Sequence, residues 1–196
     1  MGSNAVNLGA GAASGMFFHA VSGTALPTYP TETLGSAWKE VGFVAEDGIT
    51  WHHGRSAEPL KDWSNSIRRQ LQSDATGTVA APIISTTPEV LKTIFGEDNV
   101  TEAVATSSHG ALTSVEVEEG VMSEEEAFLF LMKDGDDTFM LGTTSGFITA
   151  LDDISFAPGS AITWNATVSA DAWTFMKDDG QVVVTPPAED DNEGDT

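Results

Sequence analysis

Only one stretch of this chain carries a complete helix signal, and it is too short to stand alone. Pro88–Phe95 begins with a proline, which suits a first helical position because the missing N–H would have no partner there anyway. Thr86 or Thr87 supplies a cap, and Glu89 completes a Thr-x-x-Glu box from Thr86. Val90, Leu91, Ile94 and Phe95 share one side at helical spacing, and Gly96 is the stop. An isolated helix below about 12 residues is marginal in water. Its apolar stripe therefore has to dock on something, and the rest of the chain offers sheet.

The clearest strand is 161–170, where Ile162, Trp164, Ala166 and Val168 alternate with Thr163, Asn165, Thr167 and Ser169. Over 111–118, Leu112, Val115 and Val117 read as the apolar set, with Glu116 and Glu118 outward. Strands are also expected over 15–21, 39–44 and 49–53, the last two separated by the turn signal Glu46-Asp47-Gly48. Pro27 and Pro30 make 24–30 an extended connector. Pro59 makes 54–62 a polar loop, and 63–85 reads as a hairpin with arms 66–72 and 78–85. A second hairpin, 127–133 with 138–143, turns at Asp134-Gly135-Asp136-Asp137, and 147–151 follows as a further strand. A turn over 177–180 leads into a last strand, 181–185. No internal repeat is visible. The expectation is a mainly β chain: a single β-sandwich or barrel-like domain over 15–185 with one short flanking α-helix. A flexible arm, 1–14, precedes it and a disordered acidic tail, 186–196, follows.

Composition narrows the function. A chain of 196 residues has room for one sizeable core, and the absence of cysteine excludes disulfides, thiolate zinc sites and cysteine nucleophiles. The first fifteen residues carry no Lys or Arg and no apolar core, so no secretory signal is expected. The longest apolar run, 127–132, is too short to span a bilayer, and a soluble protein is expected. Charge is lopsided: up to Lys92 there are eight acids and six bases, and beyond it 22 acids and two bases, Lys133 and Lys177. Such a surface repels nucleic acid and anionic lipid, and keeps a concentrated protein soluble before assembly. Most of these acids are expected on solvated faces, and adaptation to high salt would produce the same bias.

Catalytic and metal-binding patterns do not emerge. His52 and His53 are adjacent, so on a strand they face opposite ways and do not chelate one ion; His19 and His109 stand isolated. Asp134-Gly135-Asp136-Asp137 lacks the EF-hand glycine and glutamate, since Phe139 and Ser145 occupy those positions. Glu124-Glu125-Glu126 lacks surroundings that would separate two carboxyl pKa values and reads as a solvated loop or helix start. Gly9-Ala10-Gly11-Ala12-Ala13 is no phosphate loop, and no Gly-x-Ser-x-Gly elbow occurs. No enzyme, metal or cofactor is expected. Arg68-Arg69 within a chain of net charge −22 is a poor nucleic-acid footprint; an acidic neighbouring subunit is the better partner.

Several segments, in order, resemble the tail tube (major tail) proteins of long, non-contractile-tailed bacteriophages. They are Leu26-Pro27-Thr28; Trp38 through Val44 with Glu46-Asp47-Gly48-Ile49-Thr50; Lys61-x-Trp63 before a strand bearing Arg68; and Thr87-Pro88-Glu89-Val90-Leu91-Lys92 running to Phe95-Gly96-Glu97-Asp98-Asn99-Val100. The resemblance is specific over about 26–100 and general over 111–185. It implies a β-sandwich with a flanking helix, six copies to a ring, inner hairpins joined into one barrel, and stacked rings through which DNA passes. It further implies that the 54–62 loop, with Arg55, Glu58, Lys61 and Asp62, and the terminal arms contact neighbouring rings. Arg68 and Arg69 would pair with the next subunit, although an inner strand bearing them would put cations in the channel. Glu116, Glu118, Asp136 and Asp137 are the candidates for lining the lumen. Implied partners are further copies of the chain and the tape measure, distal tail and terminator proteins, with DNA passing non-specifically and no membrane binding. The place is the virion tail, assembled in the host cytoplasm. Two alternatives stay open. One is a terminator or contractile-type inner tube of the same fold. The other is a carbohydrate- or surface-binding β-sandwich using Trp51, Trp63, Trp164 and Trp173, although tryptophan in strands is more often core.

Overall fold

The computed structural model describes residues 15–54, 56–74, 76–117 and 123–181. In chain order the strands are β1 (Met16–Val21), β2 (Lys39–Phe43), β3 (Thr50–His53), β4 (Ser56–Lys61), β5 (Ile67–Asp74) and β6 (Gly77–Ile83). The helix α1 (Pro88–Phe95) and a 3₁₀ turn, Glu97–Asn99, follow. Then come β7 (Val100–Ala103), β8 (Leu112–Val115), β9 (Glu126–Asp134), β10 (Asp137–Leu151), β11 (Trp164–Ala170) and β12 (Thr174–Asp178).

The fifteen-residue strand β10 joins two sheets. Its first half pairs with β9 on one side and β12 on the other, in a sheet ordered β2-β1-β9-β10-β12. Between Thr143 and Gly146 the register shifts, and the second half pairs with β11, in a sheet ordered β10-β11-β6-β3. The bulge has two local causes. The Thr143 hydroxyl donates to the Ser145 carbonyl at 2.8 Å, and a Cβ at Gly146 would stand 3.0 Å from the Ser169 carbonyl oxygen. Glycine permits that close approach, and a bulge is how a strand changes direction. On the open side, a bridge between Val44 and Ile83 ties the end of β2 to β6, giving the sandwich a barrel-like closure.

The main core lies between the sheets. Phe17, Phe128 and Phe130 pack against Val79, Ile83, Trp164 and Val168, and α1 adds Val90, Leu91 and Ile94. Phe17 and Phe130 stack with centroids 4.6 Å apart. A second cluster covers the opposite face of the first sheet, where Phe18, Leu129, Leu131 and Met140 lie under Leu26, Leu34 and Trp38 from the connection between β1 and β2. Strands buried on both faces read as continuous apolar runs, which explains Met-Phe-Phe-His-Ala in β1 and Ala-Phe-Leu-Phe-Leu in β9.

Mainly β architecture with one helix is confirmed, and α1 has the expected bounds. Its cap is Thr87, whose Oγ1 accepts from Val90 N at 3.3 Å. The box from Thr86 does not form: the Thr86 hydroxyl accepts from Trp164 Nε1, and Glu89 turns to His19. The expected 54–62 loop is largely strand β4. Pro59 is tolerated because, among the described residues, β4 pairs only with β5, leaving an open edge on which a missing N–H breaks no ladder. The expected 63–85 hairpin divides: β5 folds back on β4, while β6 pairs with β11 and β3. Alternation decides this, since Val79, Ala81 and Ile83 of β6 point into the core. In β8, Leu112 is exposed and Val115 half-buried, because residues three apart cannot share a strand face. Strand β12 carries no strong sequence signal. The terminal arms and residues 182–185 of the expected last strand lie outside the described residues.

Candidate functional site

Among the described residues, two hairpins lie outside the sandwich sheets. In β4–β5 the turn is built by one carboxylate. Asp62 Oδ1 accepts from Ser64 N (2.9 Å) and Ser66 N (3.0 Å), and Oδ2 accepts from Arg68 Nε (2.6 Å). Hydrogen bonds from Ser64, Ser66 and Arg68 hold Asp62 below the usual carboxylate range. Asn65 takes φ 62°, the left-handed region that asparagine tolerates better than most residues. The turn lifts Trp63 completely into solvent, with Leu60 and Ile67 also exposed on the adjoining strands. A two-stranded ribbon has unpaired backbone groups along both outer edges. With exposed apolar side chains it is suited to pairing with, or burial against, another molecule.

The second hairpin, β7–β8, buries Val100 and exposes Val104, Leu112 and the following Val117. Lys92 of α1 reaches Glu102 of β7 at 2.6 Å and so ties this hairpin to the helix. An apolar cleft of about 540 Å³, lined among others by Val44, Ile49, Phe43 and Ile84, opens beside Gly15.

The residues singled out from sequence are distributed as follows. Glu58 and Lys61 are exposed on β4, and Asp62 and Arg68 are joined to each other rather than held free. Arg69 is exposed on β5. Glu116 is exposed just after β8, with its backbone N–H on the Asn99 carbonyl. Asp136 sits in the β9–β10 turn, and Asp137 binds Lys177 at 2.7 Å. Arg55 and Glu118 lie outside the described residues. The four tryptophans form no common platform: Trp164 is buried, Trp173 donates to the Gly77 carbonyl, Trp51 is half-buried and Trp63 stands alone on its hairpin.

One cluster escaped the sequence reading. His19 of β1, read as isolated, is buried between Glu89 of α1 and Glu126 of β9, and Lys39 Nζ lies 3.3 Å from Glu89 Oε1. Its partners are 70 and 107 residues away in sequence, so no local spacing announces them. The expectation of a wholly solvated Glu124-Glu125-Glu126 is thereby corrected for Glu126, which opens β9 half-buried against the imidazole. Among the described residues, no group of three or more His, Asp or Glu is arranged to hold a metal ion. No helix among them is long and apolar enough to cross a membrane.

A family model described as phage tail tube protein matches residues 1–184. No curated protein sequence matches the chain. Among solved structures, the anti-feeding prophage cap (AFP tube terminating cap), determined by cryo-electron microscopy, is similar at 11% identity with a TM-score of 0.42. That match covers 89% of this chain and 95% of the cap chain.

Proposed function

This chain belongs to the phage tail tube protein family, and from that premise we propose that it is the building block of the tube wall. It is a structural component of the virion tail. Six copies close into a ring, rings stack into an open tube, and the lumen is the conduit for DNA delivery. The observation that carries this reading is the family match over nearly the whole length, 1–184. Two features support it. The sandwich core is complete without the β4–β5 ribbon, whose edges and apolar side chains lack partners within the described chain. Heterologous contacts repeated with an axial step give an open tube rather than a closed particle.

Within this reading the β4–β5 ribbon, with Glu58, Lys61 and Trp63, reaches an adjacent ring together with Arg55 and the terminal arms. Arg68 is engaged by Asp62 of its own turn, so Arg69 is the better candidate for an acid of the neighbouring subunit. Glu116, Glu118, Asp136 and Asp137 face the lumen, where carboxylates repel duplex DNA carrying about one charge per 1.7 Å and so lower sliding friction. The tape measure, distal tail and terminator proteins are the other contacts, and assembly takes place in the host cytoplasm.

Negative-stain imaging of the purified full-length protein tests the reading. Long hollow filaments are expected at high concentration. Discrete single rings would instead indicate a terminator, and persistent monomers would overturn the self-assembly. The lumen assignment has its own test in phage carrying Glu116→Gln with Asp136→Asn. Tail length should stay the same while DNA ejection slows; unchanged ejection would refute it.

A further inference from the structure

His19 is the buried histidine of this chain; His52, His53 and His109 are exposed. Both of its ring nitrogens meet carboxylate oxygens. Nε2 lies 2.9 Å from Glu89 Oε1, and Nδ1 lies 3.1 Å from Glu126 Oε1 and from Oε2. A neutral imidazole has one N–H and one bare lone pair, and an ionised carboxylate can only accept. Two ionised carboxylates are therefore both satisfied only by the imidazolium. A protonated Glu89 donating to the ring is the competing arrangement, and Lys39 Nζ, 3.3 Å from the same oxygen, opposes it. The other charged groups around the cleft that holds His19 are Lys92 on α1, Glu97 just after it, and Glu124 and Glu125 ahead of β9.

We propose that His19 is a charged clasp: as the imidazolium it fastens α1 to β1 and β9 through Glu89 and Glu126, and loss of its proton loosens the helix. Lys92 on α1 holds Glu102 of β7, so the clasp also positions the β7–β8 hairpin. Burial by itself pushes the imidazole down, but the hydrogen bonds and charges of Glu126 and then Glu89 outweigh it and hold His19 above 6.5. For Glu89, burial pushes upward and is outweighed by hydrogen bonds from His19 and Lys39, leaving it below 4.5. The folded protein thus binds the His19 proton more tightly than the unfolded chain does. The contribution of His19 to stability is complete below pH 6.5 and is lost as pH rises through the higher folded value. That of Glu89 is present above pH 4.5 and is lost as pH falls through its lower folded value. The clasp does not depend on the tube reading and would operate in a lone subunit.

Imidazole ¹⁵N spectra of the labelled full-length protein provide the test. As pH is raised, His19 is expected to keep a proton on both nitrogens to a midpoint above the ordinary imidazole value of 6.5. A His19 midpoint at or below 6.5 would overturn the proposal. Glu126→Gln, which keeps the shape of the site, should weaken His19 proton binding about tenfold; an unchanged midpoint would also overturn it. Hydrogen exchange separates the clasp from simple packing. After correction for the intrinsic pH dependence, α1 amides should lose more protection than β11 amides between pH 6 and pH 9. In His19→Gln that difference should vanish, and equal loss in both elements of the native protein would refute the clasp.

Discussion

β9–β10 and β4–β5 are both antiparallel hairpins with short polar turns, yet the molecule uses them in opposite ways. In β9–β10 the ladder sits between two apolar layers, with Phe128 and Phe130 facing the opposite sheet and Leu129 and Leu131 facing the connector. In β4–β5 the ladder also runs the length of the strands, with register shifts after Ser56 and Leu60, but Leu60, Trp63 and Ile67 are exposed. Backbone pairing is common to both, so it cannot be what separates a structural element from a presented one. Neighbours make the difference. A ribbon covered on both faces gains apolar burial at roughly 25 cal/mol per Å². An isolated ribbon is marginal until something else covers it.

The contrast is sharpest in paired truncations. Phe130→Ala removes a fully buried ring stacked on Phe17 and should cost about 3–5 kcal/mol in urea unfolding. A loss no greater than that of a surface truncation would break the comparison. Next in size is Gly142→Val in the first half of β10. A Cβ there would stand 2.7 Å from Leu26 Cδ2 and 3.2 Å from the Phe128 carbonyl oxygen. Overpacking of this kind is expected to cost about 1–3 kcal/mol, read as a lower thermal midpoint. Thr87→Ala removes the cap of α1 and should cost about 1 kcal/mol, with faster amide exchange at the helix start. A uniform rise across the sheets would show that the helix is not a separate unit.

The smallest stability effect belongs to Trp63→Ala. Its side chain is fully exposed, and unfolding should change by less than about 0.5 kcal/mol. Filament formation, followed by light scattering and imaging, should nevertheless fall sharply in this variant. Normal filaments would remove Trp63 from the assembly surface; a large stability loss would show that the ribbon belongs to the core.

Helix α1 was legible because its signals are adjacent: Pro88 at the first turn, Thr87 at the cap, Gly96 at the stop. The same holds for β11, where Trp164, Ala166 and Val168 alternate inward, and for the turn between β9 and β10. Strand β4 was hidden by Pro59, whose penalty depends on whether both strand edges are paired. The choice of partner for β5 and β6 was likewise invisible, because turn residues stand on either side of β5. β12 carries Phe175 and Lys177 outward, alternating with half-buried Thr174, Met176 and Asp178, too shallow an alternation to mark a strand. Of the candidate assembly residues, Arg68 had an intrachain partner six positions away, and His19 had two that no short window contains.

By itself the sequence determined the class of the molecule: sheet with one docked helix, no cysteine chemistry, and an acidic second half. It also determined the places where the chain must turn. These follow from interactions within a few residues, such as capping, proline and glycine backbone limits, and period-two alternation. Tertiary structure alone decided that β10 serves two sheets, that β6 leaves β5 for β11, and that His19 lies between two carboxylates. Each of those outcomes depends on which distant surfaces share a water-free space. Burial and charge pairing are set by neighbours in space, and a neighbour 107 residues away leaves no mark on the local pattern.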